Sequence, residues 1–378
     1  MVVGWQVYDL TGSTLALGLI GLAEAVPAIS LALYAGHFVD RTNPLAVYKN
    51  VVRLIILSAA ILCAVSGAAA LPVPMKLTAI YLAAFLGGVA GGFAMPARDA
   101  LVPRLVERAE LHETSAWTVS SFHVASVAGP ALGGALYAWF GPRFVYGIDA
   151  SLGLASLALL GAIAIDLPPA APRLGEDALR AVLDGLRFVF VHPVLLPAIS
   201  LDMFAVLFGG VTALLPVFAK DILGVGPIGL GVLRAAPAAG ALIASAWLIK
   251  NPVRRHAGAI LLWVVAGFGL TILGFALSRS FVLSAALLAL GGAFDSVSMV
   301  IRVVIIQLNS PDDMRGRISA VNSVFISVSN ELGAFESGLA ASLLGVIPSV
   351  LAGGAVTMLT VAVVSLFSSE LRRMHLTD

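Results

Sequence analysis

Apolar residues gather in eleven blocks along the chain, at 14–35, 47–71, 77–97, 114–139, 143–167, 193–218, 226–249, 258–278, 282–306, 318–345 and 349–369. Each block is long enough to cross a hydrocarbon core of ~30 Å as a helix. Lipid forces the helical choice, because an open strand edge would leave backbone groups unpaired. Several blocks are separated by only a few residues, so they form antiparallel hairpins. A weaker element at 1–11 is too short to span. The pattern predicts an all-α polytopic membrane protein with 11 complete transmembrane helices and a partial first one.

The longest polar interruption is 168–192. From Leu167 the chain reads LPPAAPRLGEDALRAVLDGLRFVFV. Pro168, Pro169 and Pro172 break any helix there, and Glu176 to Arg187 has the pattern of an amphipathic helix lying on the membrane surface. The expected organisation is an N-terminal bundle at 1–167 with a truncated first span, a linker at 168–192, a six-helix bundle at 193–369 and a tail at 370–378. The two bundles resemble each other. At an offset of 210, Gly21, Glu24 and Pro27 fall on Gly231, Arg234 and Pro237. At an offset of 204, Gly87 and Gly88 fall on Gly291 and Gly292, and Arg98 falls on Arg302. Parallel repeats of this sort belong to transporters that rock two bundles about a central site. In that register the first bundle lacks most of its first span, and about twenty further apolar residues are expected upstream of Met1.

Composition narrows the class further. The chain is 60% hydrophobic and 11% charged, with 22 basic and 21 acidic residues. A water-soluble fold of this length would carry about 25% charge. Nucleic-acid binding is excluded too, because it needs a concentrated basic face. The single cysteine, Cys63, rules out an internal disulfide and a cysteine metal cluster. Trp5, Gln6, Tyr8 and Asp9 interrupt any signal-peptide pattern, so no cleavable signal is expected. If the turn at 36–46 is cytoplasmic, that side collects 17 of the 22 Lys and Arg, the other side four, and Arg234 lies within a span. This positive-inside bias expects a cytoplasmic C-terminus.

Charges within apolar blocks are costly and call for a reason. Glu24, Asp202, Arg234, Asp295, Glu331 and Glu336 all fall in or near predicted spans. The repeat would let Glu24 and Arg234 face one central cavity. A carboxylate that changes protonation between inward and outward states can couple transport to the proton gradient. The alternative is a static salt bridge, for instance Arg234 with Asp295 or Glu331. Glu24 and Asp295 are the first candidates for coupling. His123 is expected to pack rather than relay protons. Phe93, Phe122, Met203, Phe204 and Phe208 could line an apolar cavity, or could be core.

The sequence resembles the major facilitator superfamily. GHFVDR, Gly36 to Arg41, resembles that superfamily's Gly-x-x-x-Asp-Arg loop between spans two and three, although TNPLAVYK follows in place of the usual basic tail. PDDMRGRISAVNS and WQVYDLTGSTLALGLIG resemble its drug- and siderophore-exporter branch (enterobactin-exporter-like). The resemblance implies a two-bundle fold. A short turn with Gly36 would let two spans approach closely. Asp40 could accept hydrogen bonds from helix N-termini or a neighbouring Arg, and Arg41 could pair across the cytoplasmic face. Contacts of this kind hold one gating state and break in the other. Arg98, Asp313, Arg315 and Arg317 are expected to act similarly; the alternative is that all are topology anchors.

No Gly-x-x-x-x-Gly-Lys-Ser/Thr occurs, so the chain has no ATP-binding loop of its own. GGVAGG at 87–92 lies within a span, where helix packing explains it better than phosphate binding. No catalytic motif is recognised, and neither a cofactor nor a metal is expected. The expectation is a monomeric, multi-pass protein of the inner (plasma) membrane, a secondary transporter exporting an amphipathic drug- or siderophore-like molecule in exchange for protons. The alternatives are a facilitator or uptake carrier of the same fold, or a non-transporting sensor or scaffold.

Overall fold

The computed structural model describes residues 1–107, 109–163, 178–253, 255–311 and 314–374. The elements are helical: α1 (Val2–Thr11), α2 (Thr14–Asp40), α3 (Pro44–Gly67), α4 (Val73–Leu105), α5 (Leu111–Gly161), α6 (Ala178–Val191) and α7 (Leu195–Gly209), then a 3-10 turn (Val211–Leu214), a single α turn, α8 (Leu215–Val217), and a π turn (Phe218–Ile222). They continue with α9 (Gly226–Lys250), α10 (Ala257–Leu277), α11 (Phe281–Asn309), α12 (Arg315–Leu344), α13 (Val346–Phe367) and α14 (Ser369–Arg373). Among the described residues, nine helical segments are long and apolar enough to cross a membrane. One of the nine is α5, which is two helices joined at a kink: Gly141 has φ 75° and ψ 177°, and Pro142 follows. The polar helix α12 is outside the nine, although at 30 residues it is as long as its neighbours. Large apolar side chains such as Trp139, Trp263 and Phe367 stay exposed, as an apolar solvent permits.

Two sequence expectations are corrected. The GHFVDR stretch is not a turn. It forms the last turns of α2, which ends at Asp40, and only Arg41 to Asn43 connect to α3. The stop has a local cause: Asn43 Oδ1 accepts from the amides of Leu45 (2.9 Å) and Ala46 (3.2 Å), and Pro44 opens the next helix. Nor does Gly36 mediate a close approach, since a Cβ placed there would meet nothing within 4 Å. The third finding is an addition. The sixth apolar block, 193–218, is not one helix, because it unwinds after Gly209 and Gly210.

One pair of tight helix crossings follows the register of the internal repeat. A Cβ added at Gly88 on α4 would collide with the Glu24 carbonyl and with Pro27 on α2. One added at Gly292 on α11 would collide with Pro237 on α9. Pro27 and Gly88 are the repeat mates of Pro237 and Gly292. The glycine-rich stretch at 87–92 therefore serves close packing at Gly88. In the membrane, small residues allow such backbone approach where lipid supplies no hydrophobic driving force. The helices α2–α5 pack on one another, as do α7 and α9–α13, and two further seams, α2 on α12 and α5 on α9, join the two sets.

The linker helix α6 runs four residues past the expected Arg187, to Val191; Pro168, Pro169, Pro172 and Glu176 lie outside the described residues. It leads into α7 through His192, whose Nδ1 accepts from the amides of Val194 (3.2 Å) and Leu195 (3.3 Å). Burial holds the His192 imidazole below its ordinary pKa, and Glu370 partly opposes this. A depressed folded value means the stabilisation is whole above the unfolded value of about 6.5 and is lost as pH falls through the folded one. His192→Asn keeps a capping acceptor that cannot titrate. The variant is expected to lose less thermal stability than the wild type between about pH 7.5 and about pH 5.5. Identical pH dependence in the two proteins would refute the assignment.

Candidate functional site

Two clusters of ionisable side chains lie among the spans. The first joins both sets of helices. Glu24 comes from α2, Arg234 from α9 and Glu331 from α12. Glu24 interacts electrostatically with Glu331 and with Arg234. Arg234 Nη1 also donates to the Thr212 carbonyl at 2.8 Å. That carbonyl belongs to the 3-10 turn after Gly210, so the unwinding of the sixth block supplies the acceptor. The neighbouring Gly210 carbonyl accepts from Ser337 Oγ on α12 at 3.1 Å. Irregular backbone at membrane depth is tolerated where other groups satisfy it in this way. Of the static pairings open to Arg234, it is Glu24, not Asp295, whose field acts on it most.

The second cluster lies within one set of helices. Asp202 on α7 forms a buried ion pair with Arg302 on α11. Arg302 Nη1 also reaches Ser298 Oγ at 3.4 Å. Asp295, two turns earlier on α11, interacts with both Asp202 and Arg302. The structure thus brings Asp202 and Asp295 together around an arginine that the internal repeat marks only as the mate of Arg98. Its signal was its position: an arginine inside the apolar block 282–306, one turn after Ser298.

The remaining candidates are dispersed. Asp40 and Arg41 are exposed at the end of α2. Arg98 pairs with its chain neighbour Asp99 at 3.3 Å and reaches the Met95 sulfur at 3.1 Å, all on α4. Arg317 lies 3.8 Å from Asp184 on α6. Arg315 is exposed at the start of α12, and Asp313 lies outside the described residues. Glu336 borders a small recess with Gly210 and Ser337. Phe93 packs edge-on against Phe38 at 5.8 Å, Phe204 stacks on Phe208 at 6.1 Å, and His123 sits edge-on to the exposed Phe122. Met203 is partly buried on α7.

A buried polar chain that hydropathy did not reveal anchors α1. Tyr146 Oη donates to Gln6 Oε1 at 2.8 Å, and Gln6 Nε2 donates to Ser66 Oγ at 2.9 Å. The far side of α1 meets the π turn. Tyr8 hydrogen-bonds Asp221, Lys220 Nζ pairs with Asp9 at 2.5 Å, and the same amine lies 5.8 Å from the Tyr8 ring centroid.

The helical architecture and its internal repeat define a secondary transporter of the major facilitator type. A family model described as "Transmembrane secretion effector" matches residues 1–378. The chain belongs to that family of the major facilitator superfamily. The enterobactin exporter EntS of Shigella boydii serotype 18 is 29% identical over 309 residues, covering 82% of this chain and 73% of the exporter. Among solved structures, the nucleoside transporter NupG aligns with a TM-score of 0.70 at 13% identity, covering 97% of this chain and 93% of that one. A bacterial homologue of the iron transporter ferroportin, in its inward-facing state, aligns at 0.68 and 16% identity, covering 97% and 95%. The two solved structures, at 13% and 16% identity, speak for the fold alone. The chain is a multi-pass membrane protein that moves small molecules across a lipid bilayer.

Proposed function

We propose that the protein is a proton-coupled exporter of an amphipathic small molecule, drug- or siderophore-like, in the inner membrane. The observation that carries this reading is the Glu24–Arg234–Glu331 cluster, whose members come from helices on both sides of the seams. Their separation must change when the two sets of helices rock against each other, so the charge state of an acid there can follow the conformation. The 29% identity to the enterobactin exporter supplies the direction and the substrate class.

The organisation proposed with it is a first bundle at 1–167, a linker at 168–192, a second bundle at 193–369 and a tail at 370–378. Eleven crossings arise when α5 counts as two and α12 as one, with α1 as a partial twelfth. The basic side, which carries α6 and the C-terminus, faces the cytoplasm. The conformation proposed is open to that side. Supporting it, a Cβ at Gly18 would lie 2.9 Å from the Phe335 carbonyl, and one at Gly231 would lie 2.6 Å from that of Pro130. Both crossings, and the Asp9–Lys220 pair, lie toward the outer end. At the inner end, Cβ atoms at Gly36 and Gly316 would meet nothing within 4 Å. The exposed Asp40, Arg41 and Arg315 and the partly exposed Arg98 and Arg317 then exchange partners when the inner end closes, and Asp313, outside the described residues, is proposed to act with them.

The test is reconstitution in liposomes with an imposed pH gradient and a panel of amphipathic drugs and catecholate chelators. Gradient-driven movement of at least one compound is expected, falling when the gradient is collapsed by an ionophore. Flux indifferent to the gradient would replace the exporter by a facilitator. No flux of any compound under any gradient would overturn the substrate class.

A further inference from the structure

Where α6 meets the beginning of α12 there is an open cavity of about 420 Å³, lined by Asp184, Arg187, Phe188, Val191, Met314 and Arg317. Its chemistry is divided. Arg187 and Arg317 give it cationic groups, while Phe188, Val191 and Met314 give it an apolar wall. Arg317 lies 3.8 Å from Asp184. Arg187 is exposed and, among the described residues, joins no ion pair or hydrogen bond. The cavity also receives the start of α12, which has no side-chain cap, so its first amides add a positive end. Beside it, α6 exposes Leu183, Phe190 and Val191, the last at 79%. A surface helix with so much uncovered apolar area lies in the plane of the interface.

We propose that this cavity is a binding site for an anionic phospholipid of the cytoplasmic leaflet. The headgroup phosphate sits between Arg187 and Arg317, and the upper acyl chain runs along Phe188, Val191 and Met314. Several features favour a lipid over a free phosphate. The wall is apolar where a small anion would need more donors, and α6 exposes further apolar side chains beside it. Basic pockets at the cytoplasmic ends of transmembrane helices have this chemistry. The carboxylate of Asp184 opposes the phosphate and competes for Arg317, so it sets the affinity. A lipid seated here would bridge the linker helix to α12, which also carries Glu331. The site is independent of which compound is transported, and rests only on the orientation argued above.

Native mass spectrometry of the full chain, released from a neutral detergent, tests the site. Phosphatidylglycerol and phosphatidylcholine with the same acyl chains are added in parallel. Phosphatidylglycerol adducts are expected to exceed phosphatidylcholine adducts. Arg187→Gln should reduce the former about fivefold, the factor for one basic group near a charged membrane surface, and leave the latter unchanged. Because Arg187 holds no other described residue, its loss should not disturb the fold. Asp184→Asn should raise phosphatidylglycerol occupancy by about the same factor. Equal occupancy by the two lipids, or unchanged occupancy in Arg187→Gln, overturns the proposal. Inorganic phosphate is the third arm. If it displaces phosphatidylglycerol at millimolar concentration, the site is a free-phosphate site and the lipid assignment fails.

Discussion

Arg302→Ala is expected to be among the most destabilising single substitutions in the chain, costing about 3–5 kcal/mol. The Arg302 side chain is 3% exposed and pairs with Asp202, itself buried. Asp295 feels the same guanidinium. Removing the arginine leaves two carboxylates facing each other inside a helix bundle with no cation to offset them. The loss therefore includes repulsion and uncompensated burial as well as the missing pair. Arg302→Ala combined with Asp202→Asn removes one of those carboxylates and should recover a large part of the deficit. Asp202→Asn alone leaves Arg302 with Asp295 as an alternative partner and should cost less than Arg302→Ala. Thermal unfolding of the purified variants in detergent gives the ranking. If the double variant unfolds no higher than Arg302→Ala, the charge balance described here is not what holds α7 to α11.

Much of the fold could be read from the chain, because lipid restricts what an apolar block of this length can do. The starts of α2 and α3 coincide with local caps, Ser13 and Asn43, that hydropathy brackets within a few residues. The end of α2 was misread. Gly36 and the charges at Asp40 and Arg41 look like a turn, but a helix leaving the membrane tolerates charge in its last turn. The break after Gly209–Gly210 was missed because hydropathy is blind to backbone hydrogen bonding. The adjacent glycines were the available signal, and their meaning depended on Arg234 and Ser337 arriving from other helices. The same limit applies to the charge clusters. The repeat put Glu24 and Arg234 at matching positions, and the structure places them within each other's field. Nothing in the sequence joins Asp202 to Arg302, a hundred residues apart, because that pairing is made by the packing of α7 against α11.

Of the two leading acids, Glu24 is expected to carry the larger share of proton coupling. Its electrostatic partners, Arg234 on α9 and Glu331 on α12, lie across the seams from α2. Rocking the helix sets changes those distances directly. Asp295 differs: its partners Asp202 and Arg302 belong to the same set of helices, so rigid rotation moves all three together. An acid reports on conformation only if its surroundings differ between the two states, and only such a difference can couple proton binding to transport. Glu24→Gln should therefore reduce gradient-driven flux in liposomes by about 5- to 150-fold, the usual range of a coupling free energy. Substrate exchange without a gradient should continue, because Gln keeps the size of Glu24 and its capacity to hydrogen-bond. Asp295→Asn should reduce both modes by a similar and smaller factor, acting through the packing around Arg302. Gradient-driven flux and exchange are measured on the same vesicles, so a folding defect would lower both and be recognised. If Glu24→Gln and Asp295→Asn each keep wild-type, gradient-dependent flux, neither acid carries the proton. The coupling reading would then pass to Glu331, the remaining carboxylate of the same cluster.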